Sequence, residues 1–153
     1  MQALTAEDYA ILASQANSYR DTYLKTLKRQ PEYNPRLGVD ALCFQRRQDD
    51  ALGGEGWVGA LISPCALSLV AIPAASVLQE APESLLLSLP SGRYRVYSCF
   101  FGASAWYQRP ILTDLRGIES MQDAAQLAQQ LMTRLMQPGE SARLGESGRS
   151  SPQ

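Results

Sequence analysis

Apolar residues fall into three regimes along this chain: helical steps near both ends, short alternating runs through the middle, and very few beyond Pro138. From Tyr9 onward Leu12, Ala16, Tyr19, Tyr23 and Leu27 recur at steps of three and four, which places them on one stripe of a helix. Thr5 can cap its start, with Glu7 and Asp8 at the positive end of the helix dipole and Lys25, Lys28 and Arg29 at the negative end. Pro31 predicts a stop by Gln30. A second stripe runs through Met121, Ala124, Ala125, Ala128, Leu131, Met132, Leu135 and Met136. It opens on Ser120-Met-Gln-Asp123, a capping-box pattern with Asp in place of Glu, and ends at Pro138-Gly139.

Between the helices the period shortens to two. Residues 34–38 form a turn, and residues 39–47 read as a strand with Val39, Ala41, Cys43 and Gln45 on one face and Asp40, Leu42, Phe44 and Arg46 on the other. Residues 48–56 are polar and Gly-rich, the pattern of a flexible hairpin loop. Residues 57–73 hold two apolar runs split at Ser63-Pro64-Cys65, which predicts a hairpin at the centre of a small sheet, since Pro64 has no N–H for a ladder. A connection follows, with a helical turn near Ser76–Gln79. Residues 83–89 fit a short helix or a strand equally well, because Leu85-Leu86-Leu87 is too short a run for periodicity to decide. Leu89-Pro90-Ser91-Gly92 is a turn, residues 93–101 are a long strand, and residues 105–112 are a further strand in which Pro110 marks an edge or bulge. The expected architecture is α+β: N- and C-terminal helices packed on a mostly antiparallel sheet, with residues 1–137 as one domain and residues 138–153 as a disordered polar tail.

Composition narrows the function. Net charge is −1 with no basic block, which argues against general nucleic-acid binding. No apolar run approaches the roughly 18–20 residues of a membrane span, so no membrane insertion is expected. With no basic-then-apolar leader and an odd count of cysteines (Cys43, Cys65 and Cys99), a reduced, cytoplasmic protein is the expectation. Histidine is absent, which removes the commonest general base and the commonest transition-metal ligand from this chain. A binding role is favoured over catalysis.

The ordered motifs carry a resemblance. Asn34-Pro35-Arg36-Leu37-Gly38-Val39 and Phe44 are followed by Trp57-Val58-Gly59-Ala60-Leu61-Ile62-Ser63-Pro64, Leu67-Ser68-Leu69-Val70 and Ile72-Pro73. Leu89-Pro90-Ser91-Gly92, a strand to Gly102 and Ser120-Met121 complete the series. Over roughly residues 5–136 the chain resembles the HybE/HupJ family of NiFe-hydrogenase assembly chaperones. The resemblance implies no enzyme activity and no cofactor. It implies as partner the hydrogenase small subunit or its twin-arginine signal peptide, with the large subunit a further partner it allows. The paired Cys-x-x-Cys motifs of rubredoxin-fused relatives are missing here, so iron-mediated electron transfer is not implied.

Gripping such a signal calls for an exposed aromatic groove or an open sheet edge beside carboxylates. The candidates are Trp57, Pro64, Trp106 and Tyr107 for the apolar part, and Asp49, Asp50 and Glu55 for the arginines. Each also fits a plainer role: Trp57 as a core indole, the acids as a solvated loop. Trp106 and Tyr107 are adjacent on one strand and so face opposite ways, which leaves one of them free to be exposed. A second reading is a metal or iron–sulfur carrier in which Cys43, Cys65 and Cys99 converge from three strands, although no tight local ligand motif is present.

Overall fold

Thr5 starts the first long helix as expected. Its Oγ1 accepts from the Asp8 N–H at 3.1 Å, and Asp8 Oδ2 accepts from the Thr5 N–H at 3.0 Å, a reciprocal capping box. The computed structural model describes residues 2–138; the expected tail from Gly139 onward lies outside the described residues. In chain order the elements are β1 (Gln2–Ala3), α1 (Ala6–Lys28), β2 (Asp40–Asp49), β3 (Gly54–Ile62), β4 (Leu67–Ile72), α2 (Ala75–Glu80), β5 (Ser84–Leu89), β6 (Gly92–Phe101), β7 (Ser104–Leu112) and α3 (Met121–Leu135). All the described strands join one antiparallel sheet in the order β1-β2-β3-β4-β7-β6-β5. The expected central hairpin is β3–β4.

Alternation along β3 sorts two cores onto the two faces of this sheet. Val58, Ala60 and Ile62 point to the α3 side, where they meet Leu69, Leu87, Val96, Tyr107, Ala128 and Met132. Leu61 points to the α1 side, with Leu12, Ala16, Tyr19, Phe44, Val70, Phe101 and Trp106. With helices over both faces, the central strands read as near-continuous apolar runs, as buried strands should. The run that periodicity leaves open, residues 83–89, is a strand: Leu85, Leu87 and Leu89 are buried and Leu86 is exposed. Pro110 lies beside a register slip between β4 and β7, at a position that β6 no longer pairs.

Two departures from the expected pattern lie in β2 and just after it. The face alternation of β2 breaks at a bulge between Leu42 and Gln45, where Cys43 takes a left-handed φ of 60°. Ala41 and Phe44 therefore both face α1, while Leu42 and Cys43 face α3. The polar segment after β2 is also not a free loop. Asp49 caps a 3-10 turn (Asp50–Leu52) through the Ala51 N–H, and that turn drives Leu52 fully into the core.

The sheet also coils until its ends approach each other. Asp49 Oδ2 accepts from the Ser88 N–H, and Arg47 Nη2 donates to the Ser88 carbonyl, both at 2.9 Å. The far edge strand, β5, is thus engaged by side chains from β2. Edges are commonly blunted in this way.

The Asp8 carboxylate ties α1 to the sheet. Arg46 Nη2 on β2 lies 2.8 Å from Asp8 Oδ2. That guanidinium, helped by the Thr5 N–H, holds the Asp8 carboxyl below its ordinary value of 3.8. A depressed carboxyl stabilises the fold above its unfolded pKa, and the contribution disappears as pH falls through the folded one. As pH falls from neutral through and below the ordinary carboxylate range the parent should therefore lose more stability than Asp8→Asn, measured as melting temperature against pH.

Candidate functional site

The two sheet edges are not equivalent. β1 pairs only with Gln45 and Arg46 of β2. The bulge adjoins that last pair, and no described strand pairs with the outer side of residues 40–44. Because α1 lies on one face and α3 on the other, both helices overhang this free edge. They leave a groove of about 520 Å³ lined by Tyr9, Leu12 and Ala13 from α1, residues 40–43 of β2, and Ala125 and Gln129 from α3.

Its walls are mostly apolar. Tyr9, the one member of the tyrosine stripe outside the α1-side core, is 45% exposed here, whereas Tyr19 is buried and Tyr23 is partly buried in that core. Tyr23 donates to the Phe100 carbonyl at 2.6 Å, and burial pushes its hydroxyl up to about 12. Among the described residues that line the groove, Asp40 is the single charged one. Asp40 is exposed, yet the surrounding groove walls desolvate its carboxyl enough to raise it above the ordinary range, only partly offset by the Ala41 N–H, and no ion pair with a described cation involves it.

The residues singled out from sequence are placed elsewhere. Trp106 is fully buried, stacked on Tyr19 at 5.7 Å and tilted against Phe101 at 4.5 Å, with its Nε1 donating to Gln108 Oε1. Tyr107, on the opposite face, is also buried, and its hydroxyl donates to the Pro82 carbonyl at 2.6 Å. Adjacent strand residues do face opposite ways, but here a helix covers each side, so neither meets solvent. Pro64 is buried as well. Its carbonyl accepts from the Asn34 N–H, while Asn34 Nδ2 donates to the carbonyls of Leu115 and Ile118 at 2.8 Å. The Asn-Pro turn is therefore the tie between the central hairpin and the approach to α3. These three residues are buried.

Trp57 is half-buried on the α1 side, opposite Arg46 in the register. Asp49 is spent on Ala51 and Ser88, Glu55 lies 3.9 Å from Arg46, and Asp50 is exposed. The acidic trio clusters around the C-terminal end of β2, about 30 Å along the strand from Asp40 at roughly 3.3 Å per residue.

The three cysteines do not converge. Cys43 faces α3 in the groove, Cys65 donates to the Leu27 carbonyl at the β3–β4 turn, and Cys99 contacts the Tyr23 hydroxyl on the α1 side. Burial raises all three thiols above their ordinary value, which disfavours the thiolate a metal needs. Among the described residues no group of His, Cys, Asp and Glu could hold a metal ion, which overturns the carrier reading built on these thiols.

Sequence alone does not reveal the groove, because Tyr9, Asp40 and Ala125 meet only through the fold. The signal in the sequence is that neither face of residues 39–47 is cleanly apolar: Gln45 shares one with Val39 and Ala41, and Asp40 and Arg46 share the other with Leu42 and Phe44.

No described helix is long and apolar enough to cross a membrane. No curated protein and no solved structure matches the chain. A family model does: that of the NiFe-hydrogenase assembly chaperone HybE matches residues 11–151, spanning most of α1, the sheet from β2 to β7 and the whole of α3. The chain belongs to the HybE family of NiFe-hydrogenase assembly chaperones.

Proposed function

We propose that the protein is a non-enzymatic, cytoplasmic chaperone that holds the hydrogenase small subunit, or its twin-arginine signal peptide, during maturation. The observation that carries this reading is the apolar groove along the free edge of β2, with Asp40 as the one charge among its described lining residues. A segment with arginines beside apolar residues matches that chemistry: the carboxylate attracts the guanidinium, and the walls of α1 and α3 shelter the apolar side chains. Trp57, with the acids Asp50 and Glu55, could extend the contact toward the far end of β2; Pro64, Trp106 and Tyr107 act only by maintaining the fold.

Titration of the full chain with purified small subunit, and separately with the synthetic signal peptide, tests the reading. Binding to at least one is expected, and folded protein that binds neither contradicts it. Ala13 and Gln129 are exposed groove residues on helix surfaces, where arginine is well tolerated. Ala13→Arg and Gln129→Arg should each leave the melting temperature within about 2 °C while weakening binding about tenfold, since they put bulk and like charge in the groove.

A further inference from the structure

We propose that the free edge of β2 takes its partner as an added strand, and that this strand brings a guanidinium or ammonium group to Asp40. The inference rests on the chaperone reading and states how the segment is held.

Three observations carry it. The first is the edge itself. The β1 ladder ends at Ala3↔Gln45, two residues before the Thr5 cap of α1 and beside the bulge at Cys43, and residues 40–44 keep an outer side without a strand neighbour among the described residues. Such edges recruit extended chains through main-chain hydrogen bonds. The opposite edge, at β5, is already engaged at Ser88.

The second is the pair of walls. Side chains of an added strand point alternately to the two faces of the sheet. One set would meet Tyr9 and Ala13 of α1, and the other Leu42 of β2 and Ala125 of α3. Residues 40–42 are the part of this edge before the bulge, and with residues 43–44 the edge spans less than about 16 Å at roughly 3.3 Å per extended residue, so a segment of three or four residues fits.

The third is charge. Asp40 stands in the groove outside every ion pair found among the described residues, and a cationic group on the incoming strand would complement it. An acidic or neutral segment would leave that carboxylate desolvated and uncompensated.

Calorimetric titration of the full chain with the synthetic twin-arginine signal peptide tests the binding mode, using versions N-methylated at alternate residues in either phase. Methylation deletes main-chain donors and leaves charge untouched. One phase should lose at least tenfold in affinity and the other little. Asp40→Asn should weaken the parent peptide several-fold and Asp40→Lys by more, with D40K regaining affinity for a peptide whose arginines are replaced by glutamate. Circular dichroism of both variants checks that they are folded, and the methylated peptides need no change to the protein. Equal affinity across both phases and both variants would overturn the added strand while leaving the chaperone reading in place. Failure of the parent peptide and of the small subunit alike would overturn both. A stable dimer of the full chain that D40K dissociates would assign the edge to a second copy and overturn the proposal.

Discussion

Replacing Gly59 with alanine is expected to lower the melting temperature by about 10 °C, corresponding to roughly 3 kcal/mol in a domain of this size. Gly59 sits at the middle of β3, and its missing side chain is the space that the Phe44 ring occupies. A Cβ there would lie within the radii of Phe44 Cγ and Cδ1. Phe44 is buried beneath α1 among Leu12, Leu61 and Trp106, so the ring has little room to withdraw. Close-packed interiors resist an added methyl for this reason. The ring faces α1 because of the bulge at Cys43, so the Gly59–Phe44 contact lies beside the free edge of β2. Pairing Gly59→Ala with Phe44→Leu should recover part of the loss; strictly additive melting shifts would show that the two positions do not share this space.

The second large effect concerns Trp106. Trp106→Ala should cost about 4 kcal/mol, in the range for emptying a large buried aromatic site, and lower the melting temperature by more than about 10 °C. The indole holds Tyr19 of α1 against Phe101 of β6, and its Nε1 bond to Gln108 Oε1 would be lost as well. Trp106→Phe should lose about half as much, since a ring remains. At a temperature where each variant is still folded, affinity for the small subunit should stay within about twofold of the parent, because the side chain meets no solvent. An alanine variant that kept its melting temperature and lost binding would instead place Trp106 at the interface.

Local chemistry makes much of this fold readable. Both long helices follow from apolar spacing and their capping residues, and β3–β4 from two apolar runs parted by Ser63-Pro64-Cys65. What stays unreadable depends on contacts distant in sequence. Leu85-Leu86-Leu87 becomes a strand because β6 pairs with it and the α3-side core takes alternate residues. The bulge at Cys43 puts a non-glycine residue at positive φ, which the sequence does not advertise. The expectation that Trp106 or Tyr107 has a free face holds for a sheet covered on one side and fails for one covered on both. The candidate site suffers most from this. Its expected aromatics are core, while the edge that remains open is made by where β1 stops and how far two helices overhang.

Hydrogen–deuterium exchange of the full chain, with and without purified hydrogenase small subunit bearing its signal peptide, tests the groove most directly. Slowed exchange centred on residues 40–44, and extending to the groove-lining turns of α1 and α3, is the expected result. Binding that protects the exposed Leu86 and Tyr97 surface of β5–β6 and leaves residues 40–44 unchanged would contradict it.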